Sequence, residues 1–436
     1  MKNTSILRKS LFVLFVLLPV SAFSLDIDEK KAVDFALQNS RDIRTAEQSL
    51  IAADGRIFEG FSGFLPKINA GLTYTKLSEP TFNLTGSMSA LASSLSPAMT
   101  SEELYGASLS VSQPVFMWGR IYQVNKQAHI NYAITKEKYN QTKNDVVYRA
   151  KENYYRTVLA RELLGIAKEA LRLTQDRYEI TQKLYSEGKA STYDVSRTKV
   201  AMANAKVGVL KAENGFVLAK EALKSFLTVE EDINITGSMN IENTGYSLDD
   251  MLQTALSSRP EIKQLAYQQK LGKSLLSLSK ADNKPMISAS YSYTAQSAKL
   301  SEDFDSWDKK WQAGLALSWP IFDGLSSYGK VKQAKAGFEQ ILLADKSVTE
   351  GIKLEVRSVY QNFMQAKQSI EAQKENVQLA KDNLEIAQKR YSLGLMSYIE
   401  LQDVHFAFSQ AETNYEQSLY DYNIAIAAIK KVTGTY

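Results

Sequence analysis

The sequence predicts a mostly α-helical chain with a β-barrel membrane part, written as two structural repeats of helix, strand, strand and long helical hairpin. Three observations carry this. Landmark residues recur at one offset: Pro114 and Pro320, Gly188 and Gly394, and Ser191 and Ser397 each lie 206 positions apart. Two stretches, between Pro114 and Pro260 and after Pro320, lack proline, the strongest helix breaker, and carry heptad spacing. Four short segments alternate apolar and polar residues with the period of two that strands require.

At the start of the chain, Lys2, Arg8 and Lys9 precede an apolar run from Leu11 to Val20 and the stretch Ala22-Phe23-Ser24. That is the layout of a cleaved secretory signal over residues 1–24. The run is well short of the roughly 20 residues a spanning helix needs. Its removal takes away three positive charges and no negative ones, so the net charge falls from +4 to +1. A nucleic-acid partner has no support, because no clustered basic face is left. There is no cysteine, which excludes disulfides, thiolate zinc sites and a lipid-modified N-terminal Cys. Entry into a membrane then has to be through strands.

The helices that open the copies are matched by Ala36 with Ala255 and Ile43 with Ile262, an offset of 219. The first copy therefore carries 13 extra residues between its strands, in the Ser, Thr, Gly and Pro-rich stretch 79–103. The shorter counterpart, 296–310, holds Glu302, Asp303, Asp305 and Asp308, which read as solvated loop acids in preference to a cation site. The organisation expected is a first repeat over 25–228, an equatorial linker over 229–250 and a second repeat over 251–436.

In the first strand Ile68, Ala70, Leu72 and Tyr74 share one face and Lys67, Asn69, Thr73 and Thr75 the other. In the second, Tyr105, Ala107, Leu109 and Val111 oppose Ser108, Ser110 and Ser112; in the third, Ile287, Ala289, Tyr291 and Tyr293 oppose Ser288, Ser290 and Ser292. In the fourth, Trp311, Ala313, Leu315, Leu317 and Trp319 oppose Gln312 and Ser318. Aromatics near the strand ends, among them Tyr74, Tyr105, Trp311, Phe116 and Trp118, suit interfacial girdles. Four strands cannot close a barrel, and open edges in lipid are costly, so oligomerisation is forced. Two chains give eight strands with a filled interior; three give twelve and an open lumen, which serine lining favours.

The helices are far longer than a compact domain needs. Leu159, Leu163, Ile166, Ala170, Leu173, Arg177, Ile180 and Leu184 form one seam with a polar interruption, and Ala366, Ile370, Gln373, Val377, Ala380, Leu384, Ala387 and Tyr391 another. A helix from Ile121 to Glu187 reaches roughly 100 Å. Gly188 and Gly394 turn each helix back as a hairpin. At the strand-to-helix transition, Pro114 and Pro320 are expected to end ladder pairing, and Gly119 and Gly324 to let the chain turn into helix.

The duplicated plan, with WPIFDG (319–324) and its weaker partner QPVFMWG (113–119), resembles the TolC-like outer membrane efflux protein family over essentially all of the mature chain. The resemblance implies a homotrimeric twelve-stranded barrel continued by an α-helical coiled-coil tunnel, in the outer membrane of a Gram-negative-type bacterium with the tunnel in the periplasm. It implies contact with outer-membrane lipid, an inner-membrane transporter and a periplasmic adaptor (membrane fusion) protein. YSLGLMSYIELQD (391–403) is similar to the family's tip, matching at Tyr391, Gly394, Glu400 and Asp403; YSEGKASTYD supplies Tyr185, Gly188 and Asp194 at equivalent points. Tyr185, Asp194, Tyr391, Glu400 and Asp403 are the expected periplasmic aperture, and Gly188 and Gly394 the hairpin tip turns. Met396 falls where some members have Arg, which speaks against an Arg-based closing link. Glu400 and Asp403, three apart, share a helix face, and three copies would ring a constriction with six carboxylates that favour cations.

Catalysis has no candidate. The two histidines, His129 and His405, lie in separate helices at no ligand spacing, and no P-loop, nucleophile elbow, zinc helix or dinucleotide turn is present. No metal or cofactor is expected. The function read is a passive exit duct for small toxic compounds or polypeptides in tripartite efflux or type I secretion, and the rival is a soluble periplasmic coiled-coil adaptor or scaffold.

Overall fold

A computed structural model describes residues 25–78, 102–242, 244–300 and 304–436. The expected signal, residues 79–101 of the long loop, and Glu302 and Asp303 lie outside the described residues. In chain order the elements are β1 (Leu25–Ile27), α1 (Glu29–Asn39), α2 (Arg41–Ser62), β2 (Lys67–Lys76), β3 (Glu103–Phe116), α3 (Arg120–Ser186), α4 (Thr192–Leu227) and β4 (Ile233–Ile235). There follow α5 (Leu248–Ser258), α6 (Pro260–Ser279), β5 (Met286–Ser297), a 3₁₀ turn (Phe304–Ser306), β6 (Asp308–Ser318), α7 (Ser326–Ser392) and α8 (Tyr398–Thr433).

Helices α3 and α7 have 67 residues each, α4 and α8 have 36 each, and all four pairs of boundaries differ by 206. The landmark offset is therefore an offset of whole elements. In space the described residues form two compact units, each drawing on both copies: those within 25–40, Arg149–Ile241 and Gln368–Ile424 in one, and those within Arg41–Tyr148, Glu242–Lys367 and Ala425–Tyr436 in the other.

The second unit holds one antiparallel sheet in the order β2, β3, β5, β6. Its register puts Ile68 opposite Val111 and Leu72 opposite Ala107, then Leu109 opposite Tyr293, then Ala289 opposite Leu315. The other face aligns Asn69 with Ser110, Ser110 with Ser292, and Ser292 with Gln312. Period-two alternation sorts the four strands consistently, so the sheet has one oily and one hydroxyl-rich face, as the sequence predicts. Among the described residues much of the oily face is uncovered, Leu72 being 86% exposed and Leu315 76%, while Ala295 at the β5 end is buried. At the start of β6, Asp305 of the preceding turn pairs with Lys309, and Asp308 with Lys310.

Pro114 departs from expectation. It does not end the ladder; β3 runs on to Phe116, which pairs with Ile287 past a bulge between Pro114 and Phe116. A proline withholds one N–H, and a bulge absorbs that loss locally so that pairing resumes. Pro320 does lie beyond the end of β6 at Ser318. After each strand pair the backbone passes through two consecutive left-handed residues, Trp118 (φ 48°) and Gly119 (φ 75°) in one copy and Gly324 (φ 65°) and Leu325 (φ 68°) in the other. Each copy has glycine at only one of the two sites. Next to the second, Asp323 accepts from the Ser327 N–H at 2.8 Å and from its hydroxyl, capping α7. Asp282, before β5, accepts from Lys330 at 2.9 Å and from Arg120, so one carboxylate holds the starts of α7 and α3. Those cations, Lys330 foremost, keep it below the usual carboxylate range.

In the first unit, β1 and β4 pair in parallel, Leu25 with Ile233 and Ile27 with Ile235. Ile27, Val158, Leu223, Leu227 and Ile233 are fully buried there. Residues 229–250, expected as a linker, thus contain a strand. They are pinned by the Tyr154 hydroxyl donating to the Thr236 carbonyl at 2.6 Å and by Arg161 donating to the carbonyls of Ile235 and Gly237 at 2.8 and 2.7 Å. The α7 seam is as spaced, with Ile370, Leu384 and Ala387 buried. The α3 seam drifts: Ile180 is 45% exposed and Thr181 takes the buried position. A helix of 3.6 residues per turn falls about 20° behind a seven-residue repeat at each heptad, which moves the seam to the following residue.

The left-handed pairs yield a stability test. Nothing stands within 4 Å of a Cβ at Gly119 or Gly324, so alanine there meets only backbone strain and is expected to cost about 1 kcal/mol. Leu325→Gly is expected to gain a similar amount. Denaturant unfolding of the detergent-solubilised variants reads both, and equal stabilities across the set would refute the strain.

Candidate functional site

The expected aperture residues lie in the first unit, around two hairpin turns of identical construction. After α3, Gly188 (φ 73°) donates to the Tyr185 carbonyl at 2.9 Å and Lys189 to that of Leu184 at 2.8 Å; after α7, Gly394 (φ 73°) donates to Tyr391 at 3.0 Å and Leu395 to Arg390 at 2.9 Å. Positive φ at the turn makes glycine the residue of least cost. The next helices start with matching reciprocal caps. Ser191 and Asp194 bond each other's backbone N–H at 3.2 and 3.0 Å. Ser397 and Glu400 do the same at 3.3 and 2.8 Å. These are capping boxes, and the bonds from Ser191 and Ser397 hold both carboxyls below their ordinary range.

Asp194 and Glu400 are therefore committed to their own helix ends. Asp403 is exposed on α8 and has no partner among the described residues. Tyr185 is exposed, while Tyr391 is half-buried beneath the Arg177 guanidinium, 4.7 Å from its centroid. Met396 packs with Tyr391 against the buried Leu384, Ala387 and Leu401.

Beside this turn, between α3 and α8, lies a cavity of about 350 Å³ walled by apolar residues such as Leu173 and Phe406 and by Arg177, Tyr398 and His405. Burial, and then Arg177, push the His405 imidazole below its ordinary range. Further along α8, Glu416 is pushed up to about 7, first by burial and then by the nearby carboxylates of Glu162 and Glu412, with Arg161 opposing. Glu412 is raised by burial and by Glu169.

Comparison with known proteins bears on both units. The outer membrane efflux protein family matches residues 32–228 and 251–435. The chain belongs to this family. Probable outer membrane lipoprotein SilC of Salmonella typhimurium is 22% identical over 420 residues, 93% of this chain and 86% of SilC. Alkaline protease secretion protein AprF of Pseudomonas aeruginosa is 20% identical over 339 residues, 76% of this chain and 69% of AprF. The crystal structure of the Campylobacter jejuni CmeC outer membrane channel superposes with a TM-score of 0.79 at 19% identity, covering 93% of this chain and 85% of that one. As an outer membrane efflux protein, the chain is a non-catalytic transport channel of the outer membrane of Gram-negative bacteria. The adaptor reading has no support.

Sequence reasoning passed over two features of this efflux protein. The caps are legible as Ser191-x-x-Asp194 and Ser397-x-x-Glu400, the capping-box pattern. The pairing of Arg177 with Tyr391 is foreshadowed by the polar break in the α3 seam, but its partner comes from another helix.

Two tests follow from this geometry. Ser397→Ala removes one cap and is expected to cost about 1 kcal/mol of stability. Glu416 holds its proton in the folded chain at pH values where an unfolded chain has released it, so its contribution to stability falls as pH rises from 4.5 toward about 7. Glu416→Gln is expected to raise the unfolding midpoint at pH 8 and leave it unchanged near pH 4. A midpoint shift independent of pH would show that Glu416 titrates normally.

Proposed function

We propose that this efflux protein is a homotrimeric exit duct. Three four-stranded sheets close into one twelve-stranded barrel, β6 of each protomer pairing with β2 of the next, and the long hairpins form a periplasmic tunnel below it. The carrying observation is a sheet with a largely exposed oily face, a serine-lined reverse and two edges, β2 and β6, that no other strand among the described residues pairs. Each unpaired backbone group in hydrocarbon costs several kcal/mol, and closure removes that cost.

Transport through such a duct is passive. A periplasmic adaptor and an inner-membrane transporter supply cargo and energy, and the cargo is small toxic compounds or polypeptides. Polypeptides are included because the relative AprF is by name a protease secretion protein. Tyr185, Asp194, Tyr391, Glu400 and Asp403 form the periplasmic aperture. Asp403 carries its free charge, Glu400 adds a carboxylate held on the adjacent turn by Ser397, and the half-buried Arg177 and Tyr391 contact stiffens the hairpin beside it. With Met396 in the hairpin core, closure relies on carboxylates and tyrosines.

Leu315 sits in the middle of β6 on the oily face. Leu315→Arg is expected to cost roughly 2–4 kcal/mol per protomer and to deplete the trimer seen by light scattering in detergent. A monodisperse monomer that needs no detergent would end the duct reading. For the aperture, Glu400→Gln keeps the capping bond, so Glu400→Gln/Asp403→Asn changes charge with little change in fold. The reversal potential in a planar bilayer under a KCl gradient is expected to lose cation preference, and unchanged selectivity would remove the ring.

A further inference from the structure

In the second unit, α2, the start of α3 and the first residue of β2 line an open cavity of about 580 Å³. Its wall carries three cations, Arg56, Lys67 and Arg120, and one acid, Glu59. The cavity exists because α2 lies almost on α3. A Cβ at Gly60 would meet the Ala128 Cβ and the Asn125 Cα at 3.2 Å, and one at Gly63 would meet Ile121 at 3.0 Å. Arg56, one turn before Gly60, is on that same side of α2.

Arg120 is neutralised by Asp282. Arg56 and Lys67 have no ion pair or hydrogen bond among the described residues. Gln127 lines the same wall, and its buried Nε2 has no hydrogen-bond partner among the described residues. An orphaned buried donor costs free energy that an acceptor would recover. Arg56 and Lys67, both exposed, outnumber the single acid Glu59 and leave the wall net positive, which complements an oxyanion with several acceptor oxygens. Lys67 shares the face of Asn69 and not that of Ile68, which puts it on the hydroxyl-rich side of the sheet.

From this convergence we propose that the cavity is an anion-binding station, taking a carboxylate or phosphate group of a solute on the water-facing side where strands meet helices. The assignment of that side to a lumen rests on the duct reading; the donor set does not. A trimer holds three such stations.

Pyrophosphate is the probe. Calorimetry on detergent-solubilised protein is expected to show binding that Arg56→Gln/Lys67→Gln weakens at least about tenfold, a loss of about 1.4 kcal/mol, and that the charge-preserving Arg56→Lys/Lys67→Arg largely retains. Lys335→Gln/Lys346→Gln, two exposed lysines of the same unit that do not line the cavity, control for the loss of two charges. In a neutral phosphatidylcholine bilayer, pyrophosphate is expected to reduce wild-type conductance and to leave the Gln pair unaffected. Equal binding by wild type and the Gln pair would overturn the station. A response that follows the phosphatidylglycerol content of the bilayer and ignores pyrophosphate would reassign the cations to lipid headgroups and overturn the water-facing placement. Calorimetric binding by a wild type that neither trimerises nor conducts would support the station and sink the duct alone.

Discussion

The strongest constraint on this molecule is that a lipid environment offers nothing to an unpaired backbone N–H or carbonyl. A four-stranded antiparallel sheet with an oily face satisfies its interior strands and, among the described residues, leaves the outer edges of β2 and β6 unpaired. Much else answers that condition: the alternation that keeps one face apolar, the ladder that continues past Pro114 through a bulge, and the abrupt change to helix. A helix satisfies its own backbone wherever it goes, and so continues the chain once the sheet has ended.

That change of secondary structure concentrates polar chemistry. Two successive left-handed residues redirect the backbone in each copy, Asp323 caps the helix that follows, and Asp282 gathers Lys330 and Arg120. The glycines of α2 then press it onto α3 and leave the cation-walled cavity beside the strands. At the hairpins the same economy recurs. A glycine turn, a serine cap and an acid three residues on build both tips, and the copies differ in what they add: Asp403 in the second stands where the first has Arg197.

Much of this was legible from residues alone. Strand faces follow from a period of two, which the register keeps from Ile68 to Tyr74 and from Trp311 to Leu317, and the equal long helices follow from missing prolines and a constant offset. Legibility failed where a local signal had two outcomes. Pro114 is a strand terminator or a bulge, and only its partner strand decides. Ile180 fits a strict heptad, yet a straight helix brings Thr181 inward. Glu400 matches an aperture motif and a capping box at once. The raised Glu416 has no sequence signature, because Glu162, which repels it, belongs to a helix more than two hundred residues away in the chain.

The equality of α3 with α7 and of α4 with α8 is a lock on length. One residue inserted into a single long helix would rotate every later side chain by about 100° and shift it by about 1.5 Å against its neighbours. Growth is therefore confined to places that only join strands. The thirteen surplus residues of the first copy lie, in sequence, between β2 and β3, a join where added length leaves the timing of the helical machinery untouched.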